Sequence, residues 1–318
     1  MRLKVSLLFV LLFSLSLAVH AEPATPLQWL TLVGEAKKEL NYYGTFVYVH
    51  GDQLESMRVV HASGANGERE RLTHLNGSPR EVIRNNDLVT CIFPEERSVL
   101  VAHRSNLATS PFVQAESLAI FEKHYNLSLG GRHRIAGVET QIVNLEPKDI
   151  YRYGYRFWIS PEGLLLRSDL LGSDGLAIER IMFAEVHVVD KIPHEMMTPG
   201  VNLDGFQWFR QQPPVEISEG RWHVKNLPDG FSLKSRNLRS SDSDAKTPVE
   251  HLIVSDGLAS ISVFVEAQGS YSEGRLGSFQ MGALNGFGRI VAGHMVVVVG
   301  EVPTATVELI ADSVANDG

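Results

Sequence analysis

The chain has 318 residues, and its 29 lysine and arginine residues are outnumbered by 37 acidic residues, giving a formal net charge of −8. This acidic balance argues against nucleic-acid binding, which needs clustered positive charge. The length suffices for one large domain or two ordinary domains. A single cysteine excludes an internal disulfide, so the stability of the fold must come from hydrophobic cores.

The first 21 residues have the pattern of a cleaved secretory signal peptide. Arg2 and Lys4 form a short positive segment, and the apolar run 5–17 follows it. Ala21 fits the −1 position of a cleavage site, which predicts a mature chain beginning at Glu22. The run is shorter than the roughly 20 apolar residues that span a membrane. We therefore predict an exported protein without an integral membrane segment.

The predicted mature chain opens with an amphipathic helix. Leu27, Leu30 and Val33 recur at helical spacing, and Pro26 is suited to a first helical turn. The period then changes to two, which predicts a meander of short strands at 43–49, 54–62, 69–75, 81–83, 88–93 and 98–103. A short amphipathic helix at 116–125 interrupts this meander, and strands resume at Arg132.

A hairpin is predicted around Ser160-Pro161-Glu162-Gly163. Strands at 155–159 and 164–170 flank this tetrad, whose order of residues is typical of a type I turn. Further strands are predicted at 175–178 and 180–189. The preceding residues, 151–158, alternate with period two, which would place the tyrosines and Phe157 on one face and the arginines and Trp158 on the other. Two interpretations stay open: a cavity wall backed by a partner-binding face, or a strand with a solvated face.

Proline and glycine residues then mark a change of organisation. They predict a linker at 196–219, between a domain at 22–195 and a smaller one at 220–318. The smaller domain is predicted to contain strands at 222–224, 249–254, 258–266 and 294–300, and a closing helix at 304–315. Asp256-Gly257 is a hairpin signal. The polar segment 235–247 is interpreted as a loop.

The sequence offers no convincing catalytic or metal-binding motif. His194-Glu195 lacks the second histidine that a zinc-binding helix requires, and Ser243 and Lys246 have the spacing of a Ser-x-x-Lys motif but lie in a polar stretch. Cys91 lies in a strand-like run and is interpreted as a buried small hydrophobic residue. We therefore predict a binding protein and not an enzyme, with no catalytic residue, no metal and no cofactor.

Nine ordered sequence blocks run along the predicted mature chain. They are GTFVY at 44–48, LNGSPREV at 75–82, LGGR at 129–132, YRYGYR at 151–156, LLLRSDLL at 164–171, LPDGF at 227–231, HLIVSDGLAS at 251–260, NGFGR at 285–289 and GEVP at 300–303. No block is a chemical signature, but their order and joint length are specific. In these blocks the chain resembles the RseB/MucB family of periplasmic regulators of the envelope-stress sigma factor (AlgU or sigma-E type).

The resemblance implies an α+β protein with two domains. The larger domain would resemble the LolA/LolB lipoprotein carriers, with an unclosed antiparallel β-barrel and helices in its concave face, and the smaller C-terminal domain would also be α+β. The protein would bind the periplasmic segment of a membrane anti-sigma factor of the RseA/MucA type and protect it from the site-one protease. Lipopolysaccharide or mislocalised lipoprotein would release that partner. The resemblance also suggests a homodimer or larger homo-oligomer.

Eight residues are candidates for the binding sites, and two other functions stay open. Phe157, Ile159, Leu164 and Leu166 are predicted to line a lipid cavity, and Arg152, Arg156, Trp222 and Arg289 are predicted to contact the partner. The main alternative is a periplasmic carrier of lipids or lipoproteins of the LolA/LolB type, which would need only the first domain. A hydrolase without a recognisable motif is a third possibility.

Overall fold

The computed structural model describes residues 23–64, 67–103, 118–239, 248–267 and 276–316. The predicted signal peptide, 1–21, and its cleavage site lie outside these ranges. Within them, no helix is both long enough and apolar enough to cross a lipid bilayer.

The predicted first helix is confirmed as α1, Pro26–Glu39. Thr25 is its N-cap: the Thr25 hydroxyl accepts from the Gln28 amide, and the Gln28 side chain accepts from the Thr25 amide. This reciprocal pair satisfies two amide donors that would otherwise lack partners. Pro26 has no amide hydrogen, so it adds no further unsatisfied donor to the first turn. Lys37 and Lys38 lie in the last turn, where positive charge stabilises the helix by interacting favourably with the negative end of its dipole.

The larger sheet has twelve strands in the order β12-β6-β5-β4-β3-β2-β1-β11-β10-β9-β8-β7. Neighbours are antiparallel except β12, which runs parallel to β6. Because β12 and β7 are separate edges, the sheet is unclosed, as expected. The elements are β1 Asn41–His50, β2 Gln53–Ala62, β3 Arg69–His74, β4 Glu81–Asn85, β5 Leu88–Phe93, β6 Ser98–His103, α2 Leu118–His124, β7 Tyr125–Ile135, β8 Val138–Pro147, β9 Gly154–Ile159, β10 Leu165–Leu171, β11 Ala177–Val189 and β12 Gln207–Arg210.

The predicted hairpin is confirmed between β9 and β10. The Gly163 amide donates to the Ser160 carbonyl at 2.9 Å, which closes the four-residue turn. Gly163 has a φ of +89°, a left-handed conformation that glycine adopts without a steric penalty. Two neighbouring predictions need correction, because 175–178 and 180–189 do not form separate strands. The single strand β11 covers Ala177–Val189, and residues 175–176 lie in the turn that precedes it.

The predicted linker contains ordered structure. A short 3₁₀ turn covers His194–Met197, and β12 follows within 196–219. β12 extends the larger sheet, since Trp208 and Phe209 pair with Val99 and Leu100 of β6. This part of the linker is therefore attached to the first sheet. The boundaries 22–195 and 220–318 stay predictions.

The second sheet has seven strands in the order β13-β15-β16-β17-β20-β19-β18, and a separate two-stranded pair joins β14 to β21. Helix α3 packs on this sheet through Val307 and Ile310, both fully buried with Ile261 and Val263. The elements are β13 Val215–Glu216, β14 Trp222–Val224, β15 Ser232–Arg239, β16 Val249–Ser255, β17 Ser260–Ala267, β18 Gly277–Met281, β19 Leu284–Val291, β20 His294–Gly300, α3 Thr304–Ser313 and β21 Val314–Asn316.

The interpretation of 235–247 as a loop is wrong for its first residues. They belong to β15, in which Arg236 and Asn237 are buried. Arg236 Nη1 donates to Glu250 Oε1 at 2.6 Å and also to the Trp222 carbonyl. These partners compensate for the burial of a charge that the sequence pattern had assigned to solvent. Residues 240–247 lie outside the described ranges.

Candidate functional site

The apolar face of α1 forms a closed core with α2 and strands β7 to β9. Trp29 and Leu30 of α1 and Phe121 of α2 are no more than 1% exposed in this cluster. Phe157 and Ile159, two of the predicted cavity residues, belong to the same cluster and are equally buried. They are therefore packed against α1 and α2 in this conformation and do not line open space.

A small cavity lies beside this core, between α1 and the sheet. Its volume is about 30 Å³, close to the space that one water molecule occupies. Leu164, a third predicted cavity residue, is in its wall, whereas Leu166 is buried in a neighbouring cluster with Trp158. An acyl chain does not fit this volume, so it could occupy this cavity only if α1 moved away from the sheet. The principal wall residues are Val33, Ala36, Tyr42, His61, Leu164 and Phe183.

One wall of the cavity contains a buried histidine. His61 is 1% exposed and stacks on the Tyr42 ring with 4.9 Å between centroids. Its Nε2 lies 3.0 Å from the Lys37 carbonyl, which can only accept, so Nε2 carries the proton. Burial lowers the pKa of His61, and the neighbouring Glu70 partly opposes that shift. The neutral ring thus attaches the end of α1 to β2.

Arg152 connects the two sheets. Its side chain is fully buried, Nη1 donates to Asp256 Oδ2 at 3.1 Å, and Nη2 donates to the Asp229 carbonyl at 2.6 Å. Nε donates to Asp149, and the guanidinium also lies over the rings of Tyr125 and Phe231. Residue 152 does not continue the predicted strand, because β9 begins at Gly154. In this conformation Arg152 is inaccessible to an external partner, and its predicted role stays untested.

Other polar contacts join the same two parts of the chain. Asn285 Nδ2 donates to the Tyr153 hydroxyl at 2.8 Å, and the Thr306 hydroxyl donates to the Tyr151 carbonyl at 2.7 Å. Glu179 accepts from the Ala283 amide at 3.3 Å. Residues 151–153, which the alternating pattern assigned to a sheet face, therefore supply much of the interface between the two sheets.

The other predicted partner contacts differ in accessibility. Trp222 is 4% exposed and belongs to the core beneath α3. Arg156 is exposed on β9, where its Nε donates to Asn144 Oδ1. Arg289 is half-exposed and pairs with Asp312 at 2.6 Å. Arg156 and Arg289 can thus meet a partner as the protein stands, whereas Trp222 cannot, and all three roles stay predictions.

Sequence reasoning missed the residues that receive Arg152. Asp256 was recognised only in a hairpin signal and in the HLIVSDGLAS block, and Asp229 only in the LPDGF block. Asp229 offers its carbonyl and Asp256 its carboxylate, and both turns come from the second sheet. Only their presence in blocks shared with a family could have suggested a role, because no local pattern connects residues 104 positions apart.

The described residues offer little for metal or thiol chemistry. Across the described ranges, no group of three or more histidine, cysteine, aspartate or glutamate side chains could hold a metal ion. Burial raises the pKa of Cys91, and Arg80 opposes this only in part. The thiol is therefore protonated at neutral pH, which is the unreactive form.

Models of two protein domains match nearly the whole described chain. The MucB/RseB N-terminal domain matches residues 25–201, and the MucB/RseB C-terminal domain matches residues 216–315. This chain therefore belongs to the MucB/RseB family, and the resemblance seen in the sequence blocks is confirmed.

The sequences of individual relatives match this chain over nearly their whole length. The chain is 29% identical to the Sigma factor AlgU regulatory protein MucB of Pseudomonas aeruginosa, covering 96% of both chains. It is 26% identical to the Sigma-E factor regulatory protein RseB of Haemophilus influenzae, covering 94% of both. The solved complex of Pseudomonas aeruginosa MucA/MucB matches with a TM-score of 0.72 at 26% identity, covering 92% of this chain and 99% of that one. A structure of MucB in complex with MucA(peri) matches with a TM-score of 0.70.

Proposed function

We propose that this protein is a periplasmic negative regulator of an envelope-stress sigma factor. It binds the periplasmic segment of a membrane anti-sigma factor and protects that segment from the site-one protease. The observation that carries this proposal is the full-length match to relatives named as sigma-factor regulatory proteins, one of them solved in complex with MucA. The protein acts by binding and has no catalytic role.

A protease-protection assay tests this function. Purified protein from Glu22 onward is mixed with the periplasmic segment of the anti-sigma factor from the same organism, and cleavage by the site-one protease is followed with time. We expect cleavage to slow in proportion to the fraction of segment bound. An unchanged cleavage rate, measured when enough of this protein is present to saturate the segment, would refute the proposal.

We also propose that a lipid with acyl chains releases the partner. The apolar core between α1, α2 and the larger sheet supports this, since each buried methylene contributes about 0.8 kcal/mol to binding. Lipid can shift the protein only if its affinities for the partner-bound and partner-free states differ. Adding lipopolysaccharide to the protection assay should restore cleavage. If protection persisted at saturating lipopolysaccharide, lipopolysaccharide would be rejected as the releasing signal, but the proposed regulatory function would stand.

Export to the periplasm is part of the proposal. The basic, apolar and small-residue segments of 1–21 support cleavage before Glu22. N-terminal sequencing of the protein recovered from a periplasmic extract should begin at Glu22. A chain that still begins at Met1, or that stays with the cytoplasmic fraction, would contradict this.

A carrier of lipids is the second candidate function, supported by the apolar core beneath α1. A carrier must deliver its ligand, so the full-length protein loaded with a fluorescent lipid should transfer it to acceptor vesicles. Transfer without any protection of the anti-sigma segment would favour the carrier. The second sheet favours the regulator, because a carrier has no need of it.

A further inference from the structure

Helix α2 contacts both the core of the larger sheet and a turn of the second sheet. Phe121 of α2 is fully buried in the core with Trp29 and Leu30 of α1. Three residues further on, His124 is 5% exposed and lies against Gly230. A Cβ placed on Gly230 would stand 2.5 Å from His124 Nε2, so the imidazole packs directly on that backbone. Movement of α2 must therefore disturb one contact or the other.

The C-terminal end of α2 is also tied to the segment that carries Arg152. Lys148 donates twice to the end of the helix: its amide to the His124 carbonyl at 2.9 Å, and its Nζ to the Glu122 carbonyl at 2.7 Å. The next residue, Asp149, accepts from Arg152 Nε. A chain of direct contacts thus runs from α2 through Lys148 and Asp149 to the buried guanidinium.

The second sheet reaches the same core from the other side. Asp256 receives Arg152, and two residues later Leu258 packs against the cluster that contains Phe121. Tyr125, which directly follows α2, lies edge-on to Phe121 and beneath the Arg152 guanidinium. The core under α2 and the contact between the sheets therefore share side chains and cannot rearrange independently.

We infer that the contact between His124 and Gly230, beside the buried Arg152, couples the position of α2 to the orientation of the second sheet. The biological role of this coupling rests on the proposed function. A lipid that displaces Phe121 would change the surface that the protein presents to the anti-sigma segment. Packed interfaces change between discrete arrangements and do not deform continuously, so a small displacement of α2 can reorient the second sheet.

The test measures the distance between the sheets and needs no lipid and no partner. Nitroxide labels are placed on the exposed positions Glu162 and Lys234 by Glu162→Cys and Lys234→Cys in a Cys91→Ser background, and pulsed electron paramagnetic resonance gives the distance distribution. Phe121→Ala removes the side chain that anchors α2 in the core of the larger sheet. We expect it to shift or broaden the distribution in the otherwise unchanged protein.

The same change is then made in a protein that lacks the direct side-chain contacts of α2 with the turn at Asp229 and Gly230. In the double variant Lys123→Ala and His124→Ala, Phe121→Ala should produce less than half of that shift. In a matched control with Arg289→Ala, a surface pair remote from α2, the full shift should remain. Near-ultraviolet circular dichroism checks that the variants are folded. If Phe121→Ala disturbs folding, Phe121→Leu replaces it.

Two results would overturn the inference. One is a distribution that Phe121→Ala and Phe121→Leu both leave unchanged. The other is an equal shift in the double variant and in the control. These results are distinguishable from a failure of the proposed function. If the protein did not protect the anti-sigma segment, the distances between the labels and their dependence on His124 would still be those expected above.

Discussion

Arg152 Nη1 lies 3.1 Å from Asp256 Oδ2, and neither side chain is more than 1% exposed. The other carboxylate oxygen, Asp256 Oδ1, accepts from the amides of Leu258 and Ala259. Both ions therefore have several hydrogen-bond partners away from water, the condition under which a buried ion pair is tolerated. The pair joins two sheets that have separate hydrophobic cores.

Removing one partner of this pair should be costly. Arg152→Met leaves Asp256 buried without its counter-ion, and we expect the free energy of unfolding to fall by about 3–5 kcal/mol. Urea unfolding followed by tryptophan fluorescence measures it. The matched control is Lys123→Ala, which breaks a solvent-exposed pair with Asp229, and it should cost far less because water and salt screen an exposed pair. Equal losses in the two variants would show that the buried pair has no special importance.

A second prediction concerns the pH dependence of stability. His251 is 2% exposed, it stacks on Phe264 with 4.3 Å between centroids, and neither of its ring nitrogens has a hydrogen-bond partner among the residues that the structure describes. Burial, with a smaller contribution from Arg239, lowers the pKa of His251 to about 3. In the unfolded chain the pKa is about 6.5.

Between these two pKa values only the unfolded state binds the proton, so stability falls as the pH falls. This residue should contribute a slope of about 1.4 kcal/mol per pH unit from pH 6 to pH 4. His251→Gln removes the titrating group, so the difference in unfolding free energy between the two proteins should change with that slope and level off above pH 7. A difference that is constant from pH 4 to pH 8 would contradict the neutral, buried imidazole.

Partner binding gives a third prediction. Arg156 is exposed, and charge at the rim of an interface mainly affects association rate and salt dependence. If Arg156 faces the acidic groups of the anti-sigma segment, Arg156→Glu should weaken binding by roughly tenfold at low salt, and by less at high salt because ions screen exposed charges. Surface plasmon resonance at two salt concentrations measures both. Arg132→Glu, also on the exposed surface of the larger domain, should change the affinity by less than about twofold.

Local patterns predicted the elements whose stability is local. The helix α1 carries its own capping box, and the turn at Ser160–Gly163 closes through its own hydrogen bond. Long-range partners decided the features that were missed. Period two extends through residue 152, but Arg152 is drawn to Asp256, 104 positions later. Arg236 of β15 can be buried because Glu250 and the Trp222 carbonyl accept from it, and β12 forms by pairing with β6, more than 100 residues earlier.

The candidate site was less predictable than the fold for the same reason. Phe157 and Ile159 were predicted to line a lipid cavity, but strand alternation cannot distinguish the wall of a cavity from a core that a helix already fills. That distinction depends on where α1 and α2 pack, which is a property of the assembled sheet.

The position of α1 over the sheet depends on a glycine in the predicted hairpin. A Cβ on Gly163 would stand 2.5 Å from the Leu32 carbonyl oxygen and 2.9 Å from the Ala36 Cβ, and its φ of +89° is unfavourable for alanine. Gly163→Ala should therefore destabilise the protein both through the backbone and by pushing α1 outward. Gly175→Ala is the matched control, because Gly175 has a φ of +75° and open space around its Cβ position.

The backbone contribution alone should cost about 1–3 kcal/mol in either variant. Gly163→Ala should cost at least about 1 kcal/mol more than Gly175→Ala, since a close-packed contact must open. It should also increase the binding of a fluorescent fatty acid, because the cavity beside Leu164 opens when α1 shifts. Chemical denaturation and a fluorescence titration measure the two effects. Equal destabilisation and equal lipid binding in the two variants would show that α1 does not control entry to the cavity.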